Sequence, residues 1–159
     1  MYSNFRYPTR RQTQVWIRRR KRIAPSEIAK ELNVSRPFVS KAHRIARRRV
    51  SSLLKNAAAI NRITLSNSSP DHGFAYGYCP GTGTNSYITF SPKFGVHVWF
   101  DHEGDCSKCD EQSECWRILN DLAEDWQIEV PATMLPTDVA SMLFKRIMGV
   151  LRWSGEERR

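Results

Sequence analysis

No stretch of this sequence stays apolar for the roughly 18 residues that a membrane-spanning helix needs. Its start, MYSNFRYPTRR, has no apolar run behind its positive charges. A helical anchor and a secretory leader are therefore not expected, and the chain reads as a soluble, cytoplasmic protein. Cysteine is scarce, with four residues in 159. In a reducing compartment such thiols stay reduced, which favours a metal site over disulfides. No G-x-S-x-G, H-E-x-x-H or P-loop pattern occurs, and no convergent set of carboxylates stands out, so no enzyme is expected. The competing reading, a nuclease or glycosylase scaffolded by a cluster, has no such residues to support it.

Acidic residues are nearly missing from the first 62 positions. Glu27 and Glu31 face 17 Lys and Arg there, a balance of +15. The remaining 97 residues hold eight basic and 14 acidic side chains, a balance of −6, so the total of +9 hides two halves of opposite sign. Such asymmetry points to two modules, 1–62 and 63–159, the first of them suited to a polyanion.

Within the basic half, Thr9 is a natural N-cap for a first helix carrying Val15, Trp16 and Ile17 among arginines. A second helix is expected over Pro25–Leu32, with Pro25 in a first-turn position and Glu27 where a helix N-terminus favours negative charge. Ile28, Ala29 and Leu32 form its inward stripe. Asn33 tolerates the left-handed conformation of a tight turn, and Ser35 can cap a third helix beginning at Arg36. On that helix Val39, Ala42 and Ala46 recur at spacings of three and four and face inward. Arg36, Pro37, Ser40, Lys41 and Arg44 are left on the other faces near the helix start, within reach of a major groove. Arg47 and Arg48 are expected to bind DNA as well, and Arg18 and Arg19 to contact its phosphate backbone.

The segments TRRQTQVW and PSEIAKELNVSRPFVSKAHRIA resemble the helix-turn-helix of archaeal Tfx-type regulators and of sigma-factor region four, over residues 9–50. The resemblance implies a tri-helical reader of double-stranded DNA. Asn33 replaces the more usual turn glycine, and Pro37 restricts the first turn of the reader helix. Beyond it, Val50, Leu53, Ala57 and Ile60 continue one stripe, suggesting a dimer helix and hence a homodimer; the other reading is packing against the chain's own C-terminal half.

From residue 63 to 100 the pattern turns to β-branched and aromatic residues punctuated by Gly, Pro, Asn and Ser, which predicts strands near 62–66, 74–78, 86–90 and 96–100, the last two joined by SPKFG. The expected class is α+β: three helices, a small antiparallel sheet, then C-terminal helices around a metal site. The ligand set is Cys79 with Cys106, Cys109 and Cys115 in the spacing C-x2-C-x5-C. One close pair, one neighbour and one remote residue suit the separated corners of a [4Fe–4S] cluster better than the two close pairs usual for structural zinc. The tail also resembles that of cluster-bearing DNA glycosylases and some CRISPR-associated nucleases, over ten residues. His97 and His102 keep zinc open, since either can replace a cysteine ligand. Two amphipathic helices follow, with Ile118, Leu119 and Leu122 inward on the first, beside Trp116 as a shield for the cluster. Val139, Met142, Leu143, Phe144, Ile147 and Val150 are the apolar positions of the second. Together these features lead to the expectation of a DNA-binding transcriptional regulator that responds to redox state, oxygen or iron through its cluster. The alternative is a purely structural metal.

Overall fold

The computed structural model describes residues 7–101 and 108–153. Among them are five helices and one four-stranded antiparallel sheet, an α+β architecture. Helix α1 spans Arg10–Arg20, α2 Pro25–Leu32 and α3 Arg36–Ile60. Strands β1 (Thr64–Ser69), β2 (Phe74–Cys79), β3 (Thr84–Ser91) and β4 (Gly95–Phe100) follow, then α4 (Gln112–Asp125) and α5 (Pro136–Val150).

Local chemistry fixes the helix ends where the sequence suggests. The Thr9 hydroxyl accepts from the Gln12 amide while the Gln12 side chain accepts from the Thr9 amide, a reciprocal cap that satisfies two otherwise orphaned donors. Asn33 closes α2 in the left-handed conformation at φ 53°, and the Ser35 hydroxyl accepts from the Phe38 amide to open α3. Pro37 causes no break, because the first turn has no intrahelical use for its missing N–H. Val15, Ile28, Ala29, Val39 and Ala42 close a small core among the three helices.

The strands run in sequence order as a meander, β1-β2-β3-β4. Side chains alternate across the sheet with period two. Ala75, Ile88 and Phe90 face one side, where α3 lays Leu53, Leu54, Ala57 and Ala58 beside Trp16 of α1. Phe74, Tyr76 and Tyr87 face the other, where α4 and α5 bring Leu119, Leu122, Leu143, Phe144 and Ile147. The sheet is thus sandwiched between helix layers. Gly73 holds the β1–β2 turn at φ +66°, and its carbonyl accepts from the Phe90 amide at 2.7 Å. A Cβ there would sit 2.6 Å from the Phe90 carbonyl oxygen, so a side chain is excluded on two counts.

Most of the stripe beyond the expected reader helix packs within the chain. Val50, Leu53 and Ala57 are buried against the chain's own sheet, and only Ile60, 72% exposed, remains on the surface. These three serve the fold of the single chain. The segments 1–62 and 63–159, opposite in charge, therefore share an apolar core. Polar contacts join them as well: Trp16 Nε1 donates to the Pro70 carbonyl at 2.9 Å, and the Arg20 guanidinium lies 4.5 Å above the Trp126 ring, which stacks on His72. Burial at this junction lowers the Arg20 pKa to about 10, with Asp125 opposing the shift. The strands match expectation within a few residues, and the inward positions of α4 and α5 are buried as read, apart from half-buried Met142 and exposed Val150.

Candidate functional site

The first half of α3 stands away from the sheet and displays the residues singled out by sequence. Arg36, Pro37, Ser40, Lys41, Arg44, Arg47 and Arg48 are all exposed, whereas Val39, Ala42 and Ala46 are buried beneath them. The helical period does this: a buried row at spacings of three and four leaves the remaining positions on the outer arc. No acidic side chain occupies the first turn of α3, so the partial positive charge of its N-terminus adds to that of the arginines. Among the described residues, no carboxylate lies within ion-pair distance of Arg36, Lys41, Arg44 or Arg48.

The other three basic candidates are engaged internally. Arg18 Nε lies 2.8 Å from Glu31 Oε2, tying α1 to α2, and Arg19 Nη1 donates to the Ile23 carbonyl at 3.0 Å. Arg47 Nε sits 2.5 Å from Asp71 Oδ1 in the β1–β2 turn, with His43 Nε2 3.6 Å from the same oxygen. Burial lowers the His43 pKa, against the pull of Asp71. Sequence reasoning missed Asp71, because nothing in the local pattern announces that a turn 24 residues beyond Arg47 folds back beside it.

It also missed Phe38. The ring is 40% exposed in the first turn of α3, beside Pro37 and on the helix that carries Ser40 and Lys41. A signal was present, since Val39 already fills the inward position and its neighbour one residue back lies about 100° around the helix.

The cysteines divide. Cys79, 4% exposed, belongs to the core between α3 and the sheet, and its thiol donates to the Asn61 carbonyl at 3.7 Å. Hydrogen bonds from the Thr82 hydroxyl, and from the Thr82 and Gly81 backbone, hold the Cys79 thiol below its ordinary pKa. Cys109 and Cys115 instead line a cleft of about 680 Å³ between the other sheet face and helices α4 and α5. Tyr87, Trp99, Leu119 and Phe144 form its apolar wall, with Asp101 and Lys145 at its polar positions. Tyr87 donates to Asp101 at 3.4 Å; burial, and then the Asp101 charge, raises its pKa.

The chain matches no family model, no curated protein and no solved structure. The reading of the site therefore rests on its own chemistry. Cys106 and His102 lie outside the described residues. Among the described ones, no three His, Cys, Asp or Glu side chains gather closely enough to hold a metal, so Cys79 is not brought together with Cys109 and Cys115. His97, on β4, packs tilted against Trp99 with ring centroids 4.2 Å apart; burial lowers its pKa, against the charges of Glu114 and Glu111 at the start of α4. No helix among the described residues is long and apolar enough to cross a membrane.

Proposed function

We propose that this protein is a sequence-specific DNA-binding regulator in which α2 and α3 act as a helix-turn-helix and α3 reads the major groove. The observation that carries this reading is the outer face of α3. Arg36, Ser40, Lys41, Arg44 and Arg48 are exposed together on one continuous helix, and among the described residues none of its cations except Arg47, paired with Asp71, lies within ion-pair distance of a carboxylate. A merely soluble surface has both signs interspersed. In this reading Ser40, Lys41 and Arg44 face base edges, Arg36 and Arg48 the phosphates, and Arg18, Arg19 and Arg47 hold the helices in place. The expected dimer keeps little of its sequence argument, because Val50, Leu53 and Ala57 lie in the chain's own core and only Ile60 of the stripe is exposed. Selection from a randomised duplex pool tests the reading: recovery of a defined motif supports it, and an unenriched pool after repeated rounds refutes it.

For the cysteine-rich segment we propose a metal centre that does not use Cys79. A [4Fe–4S] cluster on all four cysteines fits poorly, because Cys79 packs beneath α3 while Cys109 and Cys115 open onto the opposite cleft. Cys106, Cys109 and Cys115 with one histidine, His97 or His102, make a donor set suited to structural zinc. On this account the protein purifies colourless with one zinc, retained in Cys79→Ala and lost in Cys109→Ser. A brown anaerobic protein with four irons that Cys79→Ala abolishes would restore the four-cysteine cluster and, with it, the redox-responsive regulator.

A further inference from the structure

The one large apolar side chain on the exposed first turn of α3 is Phe38, and its setting gives it a role beyond packing. The residue is 40% exposed, whereas Val39 beside it is fully buried and already closes the junction with α2 and α1. Its backbone amide is held by the Ser35 cap, so the position of the ring is set by the helix start and not by a flexible loop. Around it the surface is cationic and polar, with Arg36, Pro37 and Lys41 exposed. A phenyl ring left two-fifths exposed among charges, on a fixed turn, leaves apolar area to be covered by a partner. In the major groove the one apolar group a base pair offers is the C5-methyl of thymine.

We propose that Phe38 is a specificity-determining residue that reads a thymine methyl at the position of the site lying beside the first turn of α3. The inference rests on the DNA-reader assignment above and adds one base to what that reader distinguishes. Phe38 supplies an apolar contact and Arg44 a hydrogen-bonding one, so the two residues discriminate by different chemistry at different positions. Removing a single buried methyl should weaken binding about fourfold.

The test uses the full chain and the duplex recovered by selection, remade with deoxyuridine at each thymine in turn, a change that deletes the methyl and leaves every hydrogen-bonding group in place. At one position the wild type should bind the uracil duplex about fourfold more weakly. Phe38→Ala should bind thymine and uracil duplexes equally there, measured below the melting temperature of the variant. Phe38→Leu, which keeps apolar surface, should restore part of the preference. Wild type indifferent to uracil at every position, or Phe38→Ala as sensitive as wild type, overturns the proposal while leaving the reader intact. A chain that selects no duplex at all overturns the reader, and the assignment of Phe38 falls with it.

Discussion

The two halves of the chain differ in how they use charge. Before residue 63 cations crowd the surface, and only three helices with a small core of Val15, Ile28, Ala29, Val39 and Ala42 lie beneath them. After it acids predominate, and aromatic side chains fill the space between the sheet and α4 and α5: Phe74, Tyr87, Trp99 and Phe144 meet at centroid distances between 4.5 and 6.2 Å. Yet α3 belongs to both. Its first half carries the exposed basic arc and its second half is the lid of the sheet, so a single helix of 25 residues joins surface chemistry to core stability. A charge boundary in a sequence therefore need not mark a boundary between packing units.

The largest effect should come from breaking that shared core. Leu54 is fully buried where α3 meets the sheet, and Leu54→Ala should cost about 2–5 kcal/mol. Calorimetry should show both halves melting in one transition at a lower temperature. Two transitions, with one unmoved, would mean that the halves fold independently.

Next in size is Arg44→Ala, expected to cost about 1–3 kcal/mol of binding to the selected duplex at unchanged protein stability. An anisotropy titration with identical curves for wild type and variant would take Arg44 out of base reading.

Acidity should affect the junction between the halves. His43 and His72 both have pKa values lowered by burial, so the unfolded chain takes up protons that the folded one resists. Their contribution is fully present above the unfolded value of 6.5 and is lost as pH falls through it toward the lower folded values. Melting temperature should drop between pH 7.5 and pH 5, and replacing both histidines by Gln should flatten that dependence. A decline of equal size in the double variant would assign it to other groups.

The smallest effect concerns the acid that reaches from one half to the other. Asp71→Asn releases Arg47 from its ion pair, and one more available cation should tighten DNA binding by less than about tenfold and steepen its salt dependence. Weaker binding would show instead that Asp71 orients Arg47 toward the DNA.

Much of the fold was legible because it rests on short-range chemistry. Thr9, Asn33 and Ser35 announce the helix ends through caps and a left-handed turn that involve neighbours within four residues. The strands showed in β-branched and aromatic runs between turn residues, and the exposed arc of α3 followed from helical periodicity. What failed to show depends on contacts between distant segments. The stripe Val50, Leu53, Ala57 looks the same whether a second copy or the chain's own sheet covers it, and only the position of Ile88 and Phe90 opposite decides. The cysteines were grouped by residue type, but strand alternation sends Cys79 to the α3 face, away from the cleft of Cys109 and Cys115.

The central claim, that the outer face of α3 binds duplex DNA and distinguishes its sequence, is tested most directly by titrating the protein with the selected duplex and a scrambled one across salt concentrations. Both should weaken steeply with salt, by a slope of about −0.9 per phosphate neutralised, and the selected duplex should stay tighter by roughly a thousandfold or more at physiological salt. Equal affinity for the two duplexes, or binding indifferent to salt, would contradict the account.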